Sequence, residues 1–157
     1  MEEQKGAAEA ESLLEDLGFD QLPIKVDQFI NSVSDESFPV SMELHAFSSD
    51  QFLGKAAGND KGAAIIINSN IPDPRRLNFT AAHEAGHVCM HLMRGSAQNF
   101  ECGSSELGDY FNNPLERQAN GFASGLLMPS RLVKLLTDGD VNWHNIKHIS
   151  DRCDTSL

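Results

Sequence analysis

The chain has 157 residues, of which 40% are hydrophobic and 22% charged, as expected for a single globular domain. Its 23 Asp and Glu against 12 Lys and Arg give a formal net charge of −11, which argues against broad nucleic-acid binding, because contacts to a phosphate backbone need clustered basic side chains. Apolar runs such as 63–67 are too short to cross a membrane, and the acidic N-terminus lacks the apolar core of a secretory signal. We therefore expect a cytoplasmic protein whose three cysteines are reduced thiols.

Two helices are predicted before the first strand. Residues 2–18 carry an apolar stripe of leucines that ends at Gly18, a residue typical of helix ends. A second, short helix begins near Pro23 and carries apolar residues at helical spacing. The many acidic residues of the first helix favour a solvated helix face.

The middle of the chain changes to strand-like patterns. Residues 38–47 alternate partly between apolar and polar side chains, and 52–57 form a second candidate strand. A turn-forming stretch of Gly, Asn and Asp then precedes 63–68, whose three consecutive isoleucines are typical of a buried strand. Together these segments predict a small antiparallel sheet within residues 38–69.

Two helices separated by a long loop are predicted next. The first, 74–94, begins near Pro74, after Pro72 and Pro74 break the preceding pattern. Residues 95–113 are rich in Gly, Ser and Asn and are predicted to be a loop, and loops of this length in a compact domain are often functional. The second helix, 114–128, begins at a proline suited to the first helical turn and carries a regular apolar stripe.

Two shorter helices, 130–137 and 141–153, are predicted at the C-terminal end. The apolar residues of the last helix are expected to face the core: Trp143, Ile146 and Ile149. No internal repeat and no linker divides the chain, so we expect one domain.

The segment His83-Glu84-Ala85-Gly86-His87 is an HExxH motif within the predicted helix 74–94. Histidines four residues apart lie on one face of a helix, so both imidazoles can reach one ion, and imidazole nitrogen suits zinc. Glu84 is then placed to act as general base on a metal-bound water. The alternative is a helix with two ordinary surface histidines. Small and apolar neighbours place this face inside, however, where unpaired histidines would cost free energy.

A catalytic zinc ion takes three protein ligands and a water, so the motif needs a third ligand. Glu116 in the first turn of helix 114–128 is the candidate, although an acid there is also favoured by the helix dipole alone. Asn120 follows on the same face, where its side-chain oxygen could accept the outer N–H of a ligand histidine. His91 follows His87 by four residues and could also reach the ion, but it lies roughly 80° around the helix from His83. A polar residue near the helix C-terminus is the simpler interpretation of His91.

Tyr110, the only tyrosine, lies in the predicted loop just before helix 114–128. Its phenol could stabilise the oxyanion of a tetrahedral intermediate, and a packing role is the alternative. The chain has Met90 and Met93 where a metzincin would carry Gly and His, which excludes that class of zinc peptidase.

Two segments of the chain resemble the ImmA/IrrE family of metallopeptidases. Residues 78–87, Asn-Phe-Thr-Ala-Ala-His-Glu-Ala-Gly-His, resemble the F-T-x-A-H-E-x-G-H segment of that family. Residues 116–129 resemble its E-x-x-A-N-x-F-A-x-x-L-L-M-P segment. The order and separation of the segments also fit, and weaker likeness extends over most of residues 10–150.

The resemblance implies an α+β, zincin-like fold, in which a small sheet packs on the HExxH helix with further helices around it. It implies a gluzincin-like site, with one zinc ion on His83, His87 and Glu116 and with Glu84 as general base. Several members of the family cleave transcriptional repressors of mobile elements or stress regulons, so a helix-turn-helix repressor is the implied protein substrate. Members can carry additional C-terminal parts, and the last helix of this chain, 146–153, looks cut short.

The sequence thus predicts a cytoplasmic, zinc-dependent metalloendopeptidase that occupies residues 1–157 as a single domain. An extended substrate could pair with the strand at 63–68, since sheet edges accept such peptides. The rival hypothesis is a zinc-binding regulatory module that binds a repressor or toxin partner without cutting it. Both need the metal, but only the peptidase needs Glu84. Neither is expected to contact nucleic acid directly or to enter a membrane.

Overall fold

A computed structural model describes residues 1–49, 51–95, 98–103, 113–137 and 139–156. The helices and strands of these residues have the following bounds, in chain order: α1 Glu2–Asp16, α2 Val26–Val33, β1 Val40–His45, β2 Phe52–Asn59, β3 Gly62–Asn68, α3 Pro74–His87, β4 Gln98–Gly103, α4 Pro114–Leu127, α5 Ser130–Val133 and α6 Trp143–Cys153. A π-helical turn, Val88–Leu92, continues α3, and a 3₁₀ turn, Lys134–Leu136, follows α5. Among the described helices, none is long and apolar enough to cross a membrane.

The four strands form one sheet in the order β1-β3-β2-β4. β2 pairs antiparallel with both of its neighbours, so that Ala56 lies opposite Ile65 of β3 and opposite Phe100 of β4. β1 and β3 pair parallel, with Val40 opposite Ala63. Helices packed beside this sheet confirm the predicted α+β, zincin-like fold class. The prediction of an antiparallel sheet is wrong for the one pairing of β1 with β3.

The parallel pairing follows from the position of β3 in the sheet. Two reversals of the chain separate β1 from β3, so these strands run in the same direction, and β3 lies between β1 and β2. If β2 were the neighbour of β1, every pairing would be antiparallel. The same position overturns the suggestion that the strand at 63–68 offers an edge to a substrate, because β3 is paired on both sides. The outer strands of the described sheet are β1 and β4.

β4 lies where the sequence predicts a loop, so that prediction is wrong for residues 98–103. The strand is mostly polar and carries little periodic pattern of its own. It forms because its backbone pairs with β2, far earlier in the chain, and a non-local pairing of this kind leaves no signal in the local sequence. As a result Phe100 is buried against the helices rather than exposed on a loop.

Both helices that carry the candidate site begin at proline, as the sequence predicts, and the residue before each proline caps the helix. Asp73 caps α3 and accepts a hydrogen bond from the backbone N–H of Arg75 at 2.9 Å. Asn113 caps α4 and accepts one from the backbone N–H of Leu115 at 3.0 Å. Proline then occupies the first turn of each helix, where its missing N–H costs nothing. The first turns are therefore positioned by residues close in sequence.

α4 is held between α3 and α1 by close contacts at small residues. A Cβ atom added at Gly86 of α3 would lie 3.0 Å from Cβ of Phe122 and 3.1 Å from Cα of Ala119, both on α4. On the opposite side, a Cβ atom added at Gly121 would collide with the backbone carbonyl of Glu3 on α1. These contacts leave no space for larger residues at the two glycines, and they set the distance between the helix axes.

The last turn of α6 contacts α3. Ser150 is buried there, and its Oγ accepts a hydrogen bond from Arg75 Nη1 at 3.0 Å. Trp143 and Ile146 are 66% and 41% exposed, so the prediction that they face the core is wrong, while Ile149 is partly buried. The helical spacing of these residues marks one face of α6 correctly, but that face does not meet the core over its full length.

Gly121→Ala should destabilise the fold, because the added methyl group collides with the backbone of α1. Overpacking of this kind typically lowers the free energy of unfolding by about 1–3 kcal/mol. Urea unfolding followed by circular dichroism measures this change. Ser124→Ala, on the exposed face of the same helix, is the control and should change the unfolding free energy by less than about 0.5 kcal/mol. Equal stability of Gly121→Ala and the wild type would show that α1 does not lie this close to α4.

Candidate metal centre

The structure brings His83, His87 and Glu116 together at one point. The Nε2 atoms of the two histidines are 3.1 Å apart, and Glu116 places Oε2 3.2 Å from His83 Nε2 and Oε1 3.3 Å from His87 Nε2. The histidines share one face of α3 because they are about one turn apart, and Glu116 reaches them from the first turn of α4. One potential ligand atom from each of the three residues lies within 4.8 Å of the other two.

The chemistry of these three side chains fits a metal ion. The Nδ1 atom of each histidine contacts another side chain, so the Nε2 atoms are left to converge beside a carboxylate. Both histidines are almost fully buried, whereas 20% of the Glu116 side chain is exposed. Two imidazole nitrogens and one carboxylate form a ligand set of catalytic zinc sites. In the described part of the chain, this is the one group of at least three His, Cys, Asp or Glu residues that could hold a metal ion.

Burial and charge act together on the protonation of this group. Burial lowers the pKa of His87 to about 4, so that ring is neutral at pH 7. Burial alone would raise the pKa of Glu116, but its contacts with the two histidine rings hold that pKa well below its usual range. For His83, burial lowers the pKa, but the carboxylates of Glu116 and Glu84 outweigh it and the pKa is raised. A metal ion would displace the proton of His83, because a ligand imidazole must be neutral.

Asn120 lies about one turn beyond Glu116 on α4, and its Oδ1 is 2.8 Å from Nδ1 of His83. In this position the amide oxygen can accept the Nδ1–H of the ring, which leaves Nε2 with its lone pair. The spacing of α4 predicts this contact from the sequence. Its effect on metal binding stays a prediction.

Glu84, the expected general base, is fully buried where α3 packs against β2. A Cβ atom added at Gly54 of β2 would lie 3.2 Å from Cγ of Glu84 and 3.0 Å from Cγ2 of Thr80. The glycine therefore leaves room for the Glu84 side chain, where a larger residue would press against it. No sequence pattern singles out Gly54, because its contact with Glu84 is made between elements that are distant in the chain.

Two side chains that the sequence does not assign to the site lie against His87. His91 is buried, with Nδ1 3.1 Å from His87 Nδ1, and it is not one of the three residues that could hold a metal. Phe100 of β4 stacks on the His87 ring, with centroids 4.1 Å apart and planes at 14°. The contact of His91 with His87 could be predicted from their four-residue spacing. No sequence pattern predicts the contact of Phe100 with His87. Tyr110, the expected oxyanion stabiliser, lies outside the described residues.

Comparison with known proteins identifies the family. A search of curated proteins finds no match to the chain. The family model of Peptidase_M78, described as the IrrE N-terminal-like domain, matches residues 40–151. The match runs from β1 into α6, includes the HExxH segment and Glu116, and confirms the resemblance to the ImmA/IrrE family. The chain therefore belongs to the Peptidase_M78 family of IrrE N-terminal-like domains, which indicates a function of the metallopeptidase type.

Proposed function

We propose that this protein is a zinc-dependent endopeptidase that hydrolyses peptide bonds of a protein substrate. His83, His87 and Glu116 would hold one zinc ion, and Glu84 would be the general base. The observation that carries the proposal is the convergence of three ligand atoms within 4.8 Å, beside a fully buried carboxylate of the same helix. When bound, zinc polarises the scissile carbonyl and lowers the pKa of a water molecule toward 7.

Glu84 moves the protons in this proposal. Its carboxylate accepts a proton from the attacking water and passes it to the nitrogen of the leaving amine, so the residue ends the cycle unchanged. The burial of Glu84 suits this role, because it keeps bulk water away from the transferred proton. The room that Gly54 leaves beside Cγ supports the placement of this side chain.

We propose that the substrate backbone pairs with β4. This strand is an outer strand of the described sheet, and its Phe100 stacks on the His87 ring, so the strand runs beside the metal site. Sheet edges bind extended peptides through backbone hydrogen bonds, and an extended peptide is also the form in which a peptidase can reach a scissile bond. β1, the other outer strand, lies across β3 and β2 from this edge.

The substrate class rests on membership of the family. A helix-turn-helix repressor of a mobile element or stress regulon is the substrate that the ImmA/IrrE resemblance implies, and we propose it here together with a cytoplasmic location. Two described cysteines, Cys89 and Cys153, are buried free thiols, which is consistent with a reducing compartment. With a net charge of −11, any link of this protein to DNA would be indirect, through the repressor.

The second candidate function is a metal-binding regulatory module that binds its partner without cutting it. It shares the metal ligands with the peptidase but gives Glu84 no chemical role. Glu84 is fully buried in the helix of the ligand histidines, and burying a carboxylate costs free energy. This favours the peptidase, because a binding module has no use for a buried carboxylate at this position.

Glu84→Gln should retain the fold and the metal but lose cleavage, because the amide cannot accept the proton of water. The rate should fall about 10²–10⁴-fold or more, as expected when a general base is removed. Cleavage of an internally quenched peptide library and of candidate repressors measures the rate, and elemental analysis measures the zinc. Glu36→Gln, at an exposed position, is the matched control and should cleave normally. If Glu84→Gln cleaves as fast as the wild type, the peptidase mechanism is wrong and the binding module is favoured.

Glu116→Ala should lower zinc content and activity together, because the site loses its charged ligand. Zinc that binds the folded state raises the melting temperature, so added zinc should stabilise the wild type much more than Glu116→Ala. Glu36→Ala is the control and should respond as the wild type does. A zinc-loaded crystal structure with a His91 nitrogen at about 2.0–2.1 Å from the ion, and with Glu116 remote, would contradict this assignment.

The chain alone should not bind duplex DNA tightly. Fluorescence anisotropy with a labelled duplex, measured at low and at physiological salt, tests this expectation. Tight binding that weakens about 10³-fold or more between 50 and 200 mM salt, as for proteins with many phosphate contacts, would show that the link to DNA is direct.

A further inference from the structure

A continuous line of side chains runs from the N-terminal helix to the buried face of His87. His87 Nδ1 lies 3.1 Å from His91 Nδ1, and His91 Nε2 lies 3.0 Å from Gln118 Oε1. The amide nitrogen of Gln118 donates in turn to the carboxylate of Glu2 on α1. Lys5, one turn further along α1, donates to the same carboxylate at 2.7 Å. Three contacts thus connect an acid of α1 with a candidate metal ligand of α3.

The carboxylate of Glu2 fixes which group is the donor in each hydrogen bond of this line. An ionised carboxylate can only accept hydrogen bonds, and hydrogen bonds from Lys5 and Gln118 lower the pKa of Glu2. Gln118 therefore presents its amide N–H to Glu2 and its amide oxygen to His91. The oxygen requires a donor, so the Nε2 atom of His91 must carry a proton.

The direction continues into His87. The neutral His91 ring has one proton, and the contact with Gln118 Oε1 places it on Nε2, so the Nδ1 atom of His91 can only accept. The facing Nδ1 of His87 must then be the donor. A neutral His87 with its proton on Nδ1 has its lone pair on Nε2, the atom that faces Glu116 and His83.

We infer that Glu2, Gln118 and His91 form a positioning relay that sets the tautomer of His87, so that Nε2 is presented to the metal. The inference rests on the proposed metal site and adds three residues to it, none of which touches the metal or the reacting atoms. The two histidines are held by different means: His83 by a single amide oxygen of Asn120, and His87 by the relay. Glu2 lies outside residues 40–151, so a helix beyond the family match acts on the site.

Two variants distinguish the effect of hydrogen-bond direction in the relay from the effect of side-chain packing. Gln118→Met keeps the volume of the side chain but removes both of its hydrogen bonds. The double variant Glu2→Gln/Gln118→Glu exchanges the two side chains: the new carboxylate at 118 accepts directly from His91, and the new amide at 2 donates to it, so the direction is retained. Gln28→Met, at an exposed position of α2, is the matched control.

The tautomer is measured in the metal-free protein at neutral pH from the ¹⁵N shifts of the histidine rings, which differ between protonated and unprotonated nitrogens. The affinity for Zn²⁺ is measured separately, by competition with a chelator. We expect His87 to carry its proton on Nδ1 in the wild type, the exchanged double variant and Gln28→Met. In Gln118→Met we expect a substantial Nε2-protonated population and an affinity for zinc about tenfold or more lower, the usual cost of losing an outer hydrogen-bond partner of a ligand histidine.

The relay is overturned if His87 of the wild type carries its proton on Nε2, or if Gln118→Met keeps both the tautomer and the zinc affinity of the wild type. It is also overturned if the exchanged double variant, although folded, loses zinc as Gln118→Met does, because packing rather than direction would then matter. Failure of the proposed function gives a different result: the wild type would bind no zinc, while the ring shifts of the metal-free protein would still decide the tautomer.

Discussion

The close packing of α3 against α4 is the contact on which the candidate site depends. Gly86, within the HExxH segment itself, lets Phe122 and Ala119 approach so closely that an added methyl group would press on both. At this distance the first turn of α4 faces the histidines, and the single carboxylate of Glu116 contacts Nε2 of both. A larger residue at 86 would separate the helices and move Glu116 away from the two histidines. The geometry of the candidate site is therefore a consequence of packing between helices, which tolerates little change in volume.

α1 supports this arrangement from the other side of α4. Its acidic side chains reach across the contact: Glu3 accepts hydrogen bonds from Arg117 at 2.7 and 2.9 Å, and Glu11 accepts one from Ser130 at 2.6 Å. These two acidic residues of α1 therefore make contacts with neighbouring helices while they stay partly exposed, as expected for a solvated face. Each of these partly exposed contacts contributes little to stability. Together they align α1 with α4 through Arg117 and with the start of α5 through Ser130.

The site gathers charge in the interior of a protein that is already strongly acidic. Glu84 is fully buried and Glu116 half-buried, and carboxylates in such positions cost free energy unless cations or hydrogen bonds compensate for them. His83 supplies part of the compensation, and a divalent cation at the same point would supply more. Buried groups with displaced pKa values are typical of functional sites, where stability is given up for chemistry. Most other buried side chains of the described residues are apolar, and buried polar ones such as Asn68 and Ser150 make hydrogen bonds.

The sequence by itself determines the features of this protein that depend on residues close in the chain. The caps at Asp73 and Asn113, the shared face of the HExxH histidines and the position of Asn120 one turn beyond Glu116 all follow from helical spacing and capping chemistry. Only the tertiary structure decides the parallel pairing of β1, the existence of β4 and the relay that ends at His87. The physical reason is that these features join segments that are distant in the chain. Each partner satisfies ordinary local rules, and the contact arises when packing brings the partners together.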